Sequence, residues 1–178
     1  MALFGFKTKE DVDSGVSGVC RPAQTRISFG MTSGLITNMA LIIGMADWSG
    51  AKAVIIAGIL VVGVADNISD SFGIHIYRES ECLSAAEVWL GTFTNFISRL
   101  LVSLSFVAIV AFLPMKAAAI CSVLLGMLLL AGLSYSISRA KGAKPFQAMV
   151  EHLSIAAGVI LASHFLGGLI HAKIQGVT

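Results

Sequence analysis

Five apolar stretches of about 20 residues, parted by short polar breaks, dominate this chain. At 1.5 Å rise per residue a helix of that length crosses a ~30 Å hydrocarbon core. They cover 27–46, 53–77, 93–113, 117–137 and 149–170. Lipid offers no hydrogen bonds to the backbone, so such segments must be helices, which satisfy their own polar groups. The expected fold is all-α: a polytopic integral membrane protein of five transmembrane helices, with the lipid bilayer as its solvent. The composition agrees, because only 12% of the residues are charged against about 25% in soluble domains. A net charge of +2 without a long basic run argues against a nucleic-acid partner and against a polybasic lipid-binding segment.

Residues 1–26 carry Glu10, Asp11 and Asp13 among small polar residues. A basic start followed by an apolar run of about 7–15 residues would mark a signal peptide. That combination is absent, so 1–26 is expected to be a cytosolic amino-terminal segment and 27–178 the five-helix transmembrane domain. Pro114 parts the third and fourth spans, and Pro145 suits the first turn of the fifth. With the amino terminus inside, the cytosolic parts hold Lys7, Lys9, Arg21, Arg26, Arg78, Arg99, Arg139, Lys141 and Lys144. The other side holds Lys52, Lys116 and Lys173, so nine cations against three fit the positive-inside bias. The polar stretch 78–92 contains Val88, Trp89 and Leu90 and is expected to lie as a helix at the interface. Small residues, Gly30 with Gly34 and Ser154 with Gly158 and Ala162, serve close helix packing or dimerisation alike.

The second span carries the chemistry. Asp66 and Asp70 are four apart and share one helix face, with Asn67, Ser71 and His75 on an adjacent strip. Val61, Ala65, Ile68 and Phe72 form the opposite, lipid-like or packing stripe. Acids inside a span cost about 2.5–3.5 kcal/mol each on insertion scales and mark functional sites by default. Two carboxylates with amide and hydroxyl oxygens suit a hard or borderline divalent cation. Crowding them also favours retention of a proton, which couples protons to metal. Asp66 and Asp70 are therefore the candidate metal and proton-coupling groups. Asn67, Ser71, Asn38 and Met39 are the candidate additional ligands, and Glu79, Glu81 and Glu87 the candidate cytosolic metal entry. The blander reading is a polar network that joins helices.

Other polar residues weigh less. Arg99 is expected to snorkel from the cytosolic end of the third span, or to pair with Glu79, Glu81 or Glu87. Methionine inside a span is usually packing. His75, His152, His164 and His171 are too widely spaced for a ligand set, and Glu151–His152 belongs to no zinc-protease signature. Cys20, Cys82 and Cys121 form no C-x-x-C pair. No nucleophile elbow, P-loop or dinucleotide fingerprint occurs, so the chain is not expected to be an enzyme or to hold a cofactor.

Three stretches together resemble the vacuolar iron transporter family of proton-coupled Fe²⁺/Mn²⁺ carriers. They are FGMTSGLITNMALIIGMA at 29–46, AGILVVGVADNISDSFGIHIYRESE at 57–81, and LLGMLLLAGLSYSISRAKGAKPFQAMVEHLSIAAGVILASHFLGGLI at 124–170. The chain departs from the family in three places. Ser33 stands where the family's first helix has an aspartate. The family's metal-facing methionine and following glutamate fall on Asn67 and Ser71, one residue after Asp66 and Asp70. Either the acids are re-sited, or the register is displaced by one. The long glutamate-rich insert of plant-type members is reduced to Glu79, Glu81 and Glu87. The resemblance implies a homodimer with the ion path between the first and second helices at the two-fold axis.

The expected function is proton-coupled transport of a divalent metal ion, iron or manganese, out of the cytosol. The alternatives are a non-transporting subunit or regulator on the same fold, favoured by Ser33, and a carrier of another cation or small solute. In the non-transporting case Asp66 and Asp70 are satisfied by Asn or Arg partners. Short tails without organelle signals point to a prokaryotic cytoplasmic membrane.

Overall fold

The computed structural model describes residues 23–46, 51–140 and 142–175, and these are helical apart from short turns. Five helices follow in order: α1 (Ala23–Ala46), α2 (Lys52–Ser80), α3 (Ala85–Phe112), α4 (Met115–Ala140) and α5 (Pro145–Gln175). Four of them, α2 to α5, are long and apolar enough to cross a membrane, while the apolar part of α1 is the shorter stretch Gly30–Ala46. Their outer faces carry the side chains expected against lipid. Val61, Ala65, Ile68 and Phe72 of α2 are all exposed, as are Leu124 and Leu128 of α4 and Phe165 and Leu169 of α5.

The helices begin and end where local chemistry directs. Ser84 caps α3 by accepting from the Glu87 N–H, while Glu87 Oε2 accepts from the Ser84 N–H at 3.2 Å, a reciprocal capping box. Leu113, held extended ahead of Pro114, stops α3. Pro145 opens α5, and the turn before it uses Gly142 at φ +67°, a conformation glycine adopts without a Cβ clash.

The capping box also corrects one expectation. No separate interfacial helix occupies 78–92, because α2 runs on to Ser80 and α3 starts at Ala85. The pair forms one long hairpin, and α3 begins eight residues before the apolar stretch at 93.

α1 is the centre of the bundle. It packs against each of the other four helices, and none of its described side chains is exposed. Leu35, Met39 and Ile42 of α1 form the middle of a core completed by Ile55, Ile59, Phe106, Leu130 and others. Glycine makes the approach close enough. A Cβ at Gly30 would lie 2.6 Å from Asn95 Oδ1, and one at Gly44 would lie 3.2 Å from the Ser163 carbonyl. The Gly30–Gly34 pair is thus spent inside the chain against α3, while Ser154, Gly158 and Ala162 stay exposed on α5. A second layer of order comes from hydroxyls and amides. Asn38 Nδ2 donates to Ser103 Oγ at 3.1 Å and to the Gly34 carbonyl at 2.7 Å, tying α1 to α3.

Candidate functional site

Halfway along α2 and α3, three charged side chains meet. The Arg99 guanidinium donates through Nη2 to Asp66 Oδ2 and through Nη1 to Asp70 Oδ2. Nη1 also donates to Ser33 Oγ of α1 at 2.7 Å, and Ser33 Oγ donates to Asp70 Oδ2 at 3.1 Å. Three helices therefore supply one cluster: Ser33 from α1, the aspartates from α2 and the arginine from α3. The i, i+4 spacing on α2 presents both carboxylates to a single partner, and the forked guanidinium can bond two acids at once.

Burial is uneven across the cluster. Arg99 is 1% exposed, whereas the side chains of Asp66 and Asp70 are 41% and 28% exposed. The cation is sealed in, and the anions form the cluster's open side. This corrects the expectation that Arg99 snorkels to a surface. Because α3 starts at Ala85, Arg99 stands near its middle. At 1.5 Å per residue it lies about 20 Å from either helix end, beyond the reach of its side chain. It pairs with Asp66 and Asp70, not with Glu79, Glu81 or Glu87.

Beside the ion cluster runs an amide–hydroxyl chain. Asn95 Nδ2 donates to Ser71 Oγ at 3.1 Å, Ser71 Oγ to Asn67 Oδ1 at 3.4 Å, and Asn67 Nδ2 to the Phe96 carbonyl at 3.0 Å. All three side chains are buried between α2 and α3. Further toward the hairpin turn, His75 Nδ1 lies 3.1 Å from Thr92 Oγ1, with the imidazole against the Trp89 ring. Arg78 reaches over Gly91 and donates to the Glu87 carbonyl at 3.4 Å.

The candidate ligands thus fall into separate places. Asp66 and Asp70 converge, and Asn67 joins Ser71, but in the neighbouring chain of amides. Asn38 is engaged with Ser103, and Met39 is fully buried in the core against Gly126. Among the described residues no group of three or more His, Cys, Asp or Glu is placed to hold a metal ion. The acids at the hairpin have local partners: Glu87 closes the capping box, and Glu81 Oε1 accepts from Tyr77 Oη at 2.7 Å. Glu79 is exposed.

Arg99, Ser33 and Asn95 are the members that the sequence reading left out of the site. A signal for two of them existed. Thr92, Asn95, Arg99 and Ser103 recur every three or four residues, a polar stripe within the third span matching that of the second. Two such stripes on consecutive helices of a hairpin face each other.

No family model matches this chain, and no curated protein matches it either.

Proposed function

We propose that this chain is a multi-pass membrane carrier that exchanges protons for a divalent metal ion at Asp66 and Asp70, with α1 as a fifth span. The observation that carries the reading is a pair of partly open carboxylates at mid-span. Their only charged partner among the described residues is one buried guanidinium. Two acids and one cation leave an excess negative charge where charge is costly, which favours a mobile cation or proton at the site. The open side of the cluster also needs covering in the bilayer, which supports a water-lined path or a second copy of the chain there. The resemblance at 29–46, 57–81 and 124–170 favours iron or manganese, a homodimer and movement out of the cytosol. The positive-inside bias survives the removal of Arg99 from the loop count, leaving eight cations against three.

The ligand set of this reading is narrower than the sequence suggested. Asp66 and Asp70 bind the ion and exchange protons. Asn67 and Ser71 hold α2 on α3 beside them, and Asn38 and Met39 hold α1 in the core.

A second reading, a non-transporting membrane subunit, is favoured by one observation: the guanidinium engages both acids at once, as a structural tie would. Flux decides between the two. Proteoliposomes containing wild type or Asp70→Asn are loaded with a metal-quenched dye and a pH dye. Metal entry with opposing proton movement, at least tenfold slower in the variant, is the expected outcome. Absence of Fe²⁺ and Mn²⁺ flux in well-folded wild type would leave the non-transporting reading standing.

A further inference from the structure

Arg99 occupies the position that a cation bound between Asp66 and Asp70 would need. Its guanidinium contacts Oδ2 of both acids, and its Nη1 shares Asp70 Oδ2 with the Ser33 hydroxyl. The arginine is held there by its surroundings. Its stem passes over Gly34, where an added Cβ would come within 3.2 Å of Arg99 Cγ and 3.4 Å of Val102 Cγ1. α1 thus has a glycine where the arginine crosses it, and a serine next to that glycine that bonds the head group.

Charge balance then constrains what the acids can hold. Two carboxylates and one guanidinium sum to one negative charge, whereas two carboxylates and one divalent cation sum to zero. A divalent ion on these Oδ2 atoms would compete with the guanidinium, because the same atoms would serve both.

We propose that Arg99 is a built-in competitor of the transported cation. It is a tethered counter-ion that must leave the carboxylates when a divalent ion loads on them. This rests on the carrier reading above and adds the group that regulates loading.

The test measures binding and stability rather than transport. Wild type, Arg99→Gln and Arg99→Lys are purified in detergent, with MnCl2 present and then removed by chelation. Mn²⁺ affinity is measured by titration calorimetry, and Tm is measured with and without Mn²⁺, using Mg²⁺ as a control. Arg99→Gln is expected to bind Mn²⁺ about tenfold more tightly than wild type or better, and to recover in Mn²⁺ the Tm it loses without it. Arg99→Lys, whose compact ammonium cannot fork across two acids, should fall between. Adding Asp70→Asn to Arg99→Gln should remove the gain. Equal or weaker Mn²⁺ binding in Arg99→Gln, with no Mn²⁺-dependent rise in Tm, would overturn the proposal even if wild type transports metal. Should Arg99→Gln be unrecoverable even in Mn²⁺, Arg99→Lys decides, and wild-type affinity there overturns it too. Tight binding in Arg99→Gln by a chain whose wild type neither binds nor carries metal would keep the competitor and remove the carrier reading.

Discussion

At the scale of single residues, glycines in this bundle separate into those that carry a contact and those that do not. Position 30 has Asn95 Oδ1 and the Asn95 carbonyl within 2.7 Å of where a Cβ would stand, whereas position 73 has nothing within 4 Å. Gly30→Ala therefore forces α1 away from α3 and is expected to cost about 1–3 kcal/mol, the range for overpacked sites. Gly73→Ala should be neutral, or stabilising by up to about 1 kcal/mol, since alanine is the better helix former. Reversible unfolding of both variants in mixed micelles checks the contrast, and equal losses would contradict it. The same scale explains what the sequence could and could not reveal about the site. Asp66 and Asp70 are legible because acids inside an apolar run are costly and rare. Their partner is not, because Arg99 lies six residues into the apolar stretch at 93 and reads as an end-of-helix cation. Only the true start of α3, set by Ser84 and Glu87, moves it to mid-span.

Among the elements, the α2–α3 hairpin carries most of the polar chemistry, and its geometry depends on one cap. The Ser84–Glu87 box adds two turns ahead of the apolar stretch of α3, bringing Thr92, Asn95 and Arg99 opposite His75, Ser71 and the two aspartates. Replacing Ser84 with Ala removes the hydroxyl that accepts from the Glu87 N–H and donates to its carboxylate at 2.7 Å. A loss of about 0.5–2 kcal/mol is expected, with faster hydrogen exchange confined to the first turns of α3. Uniform exchange across the hairpin would mean that the cap has no local role. An S-x-x-E start is a recognisable sequence pattern, so this boundary was within reach of sequence reasoning. The apolar residues Val88 to Leu90 drew the same stretch toward an interfacial reading instead, since hydropathy alone cannot separate a helix lying on a membrane from the first turns of one entering it.

For the whole molecule, the element count and the exposed apolar stripe of α2 are legible from hydropathy, while the arrangement is not. Nothing in the periodicity of α1 says that four helices surround it. Its glycines read as a generic close-packing pair, and the identity of each partner is a long-range fact. Orientation remains a matter of charge bias, and Cys82 offers a direct check because it is exposed in the turn between α2 and α3. In a background with Cys20 and Cys121 replaced by Ser, a membrane-impermeant maleimide is expected to label Cys82 in inverted vesicles and not in right-side-out ones. The reverse pattern would invert the topology proposed above and the direction of metal movement with it.

The central place of α1 bears on how the chain is made. α1 leaves the ribosome before the four helices that pack around it. Asn38 waits for Ser103, sixty-five residues downstream, and Gly44 waits for the close approach of Ser163 and Gly167 near the carboxyl end. Until then Asn38 keeps its bond to the Gly34 carbonyl of its own helix, and the Gly44 backbone lacks its neighbours from α5. A chain stalled before α5 therefore lacks one of the four helices that pack on α1. Completion of α5 then closes the surroundings of α1.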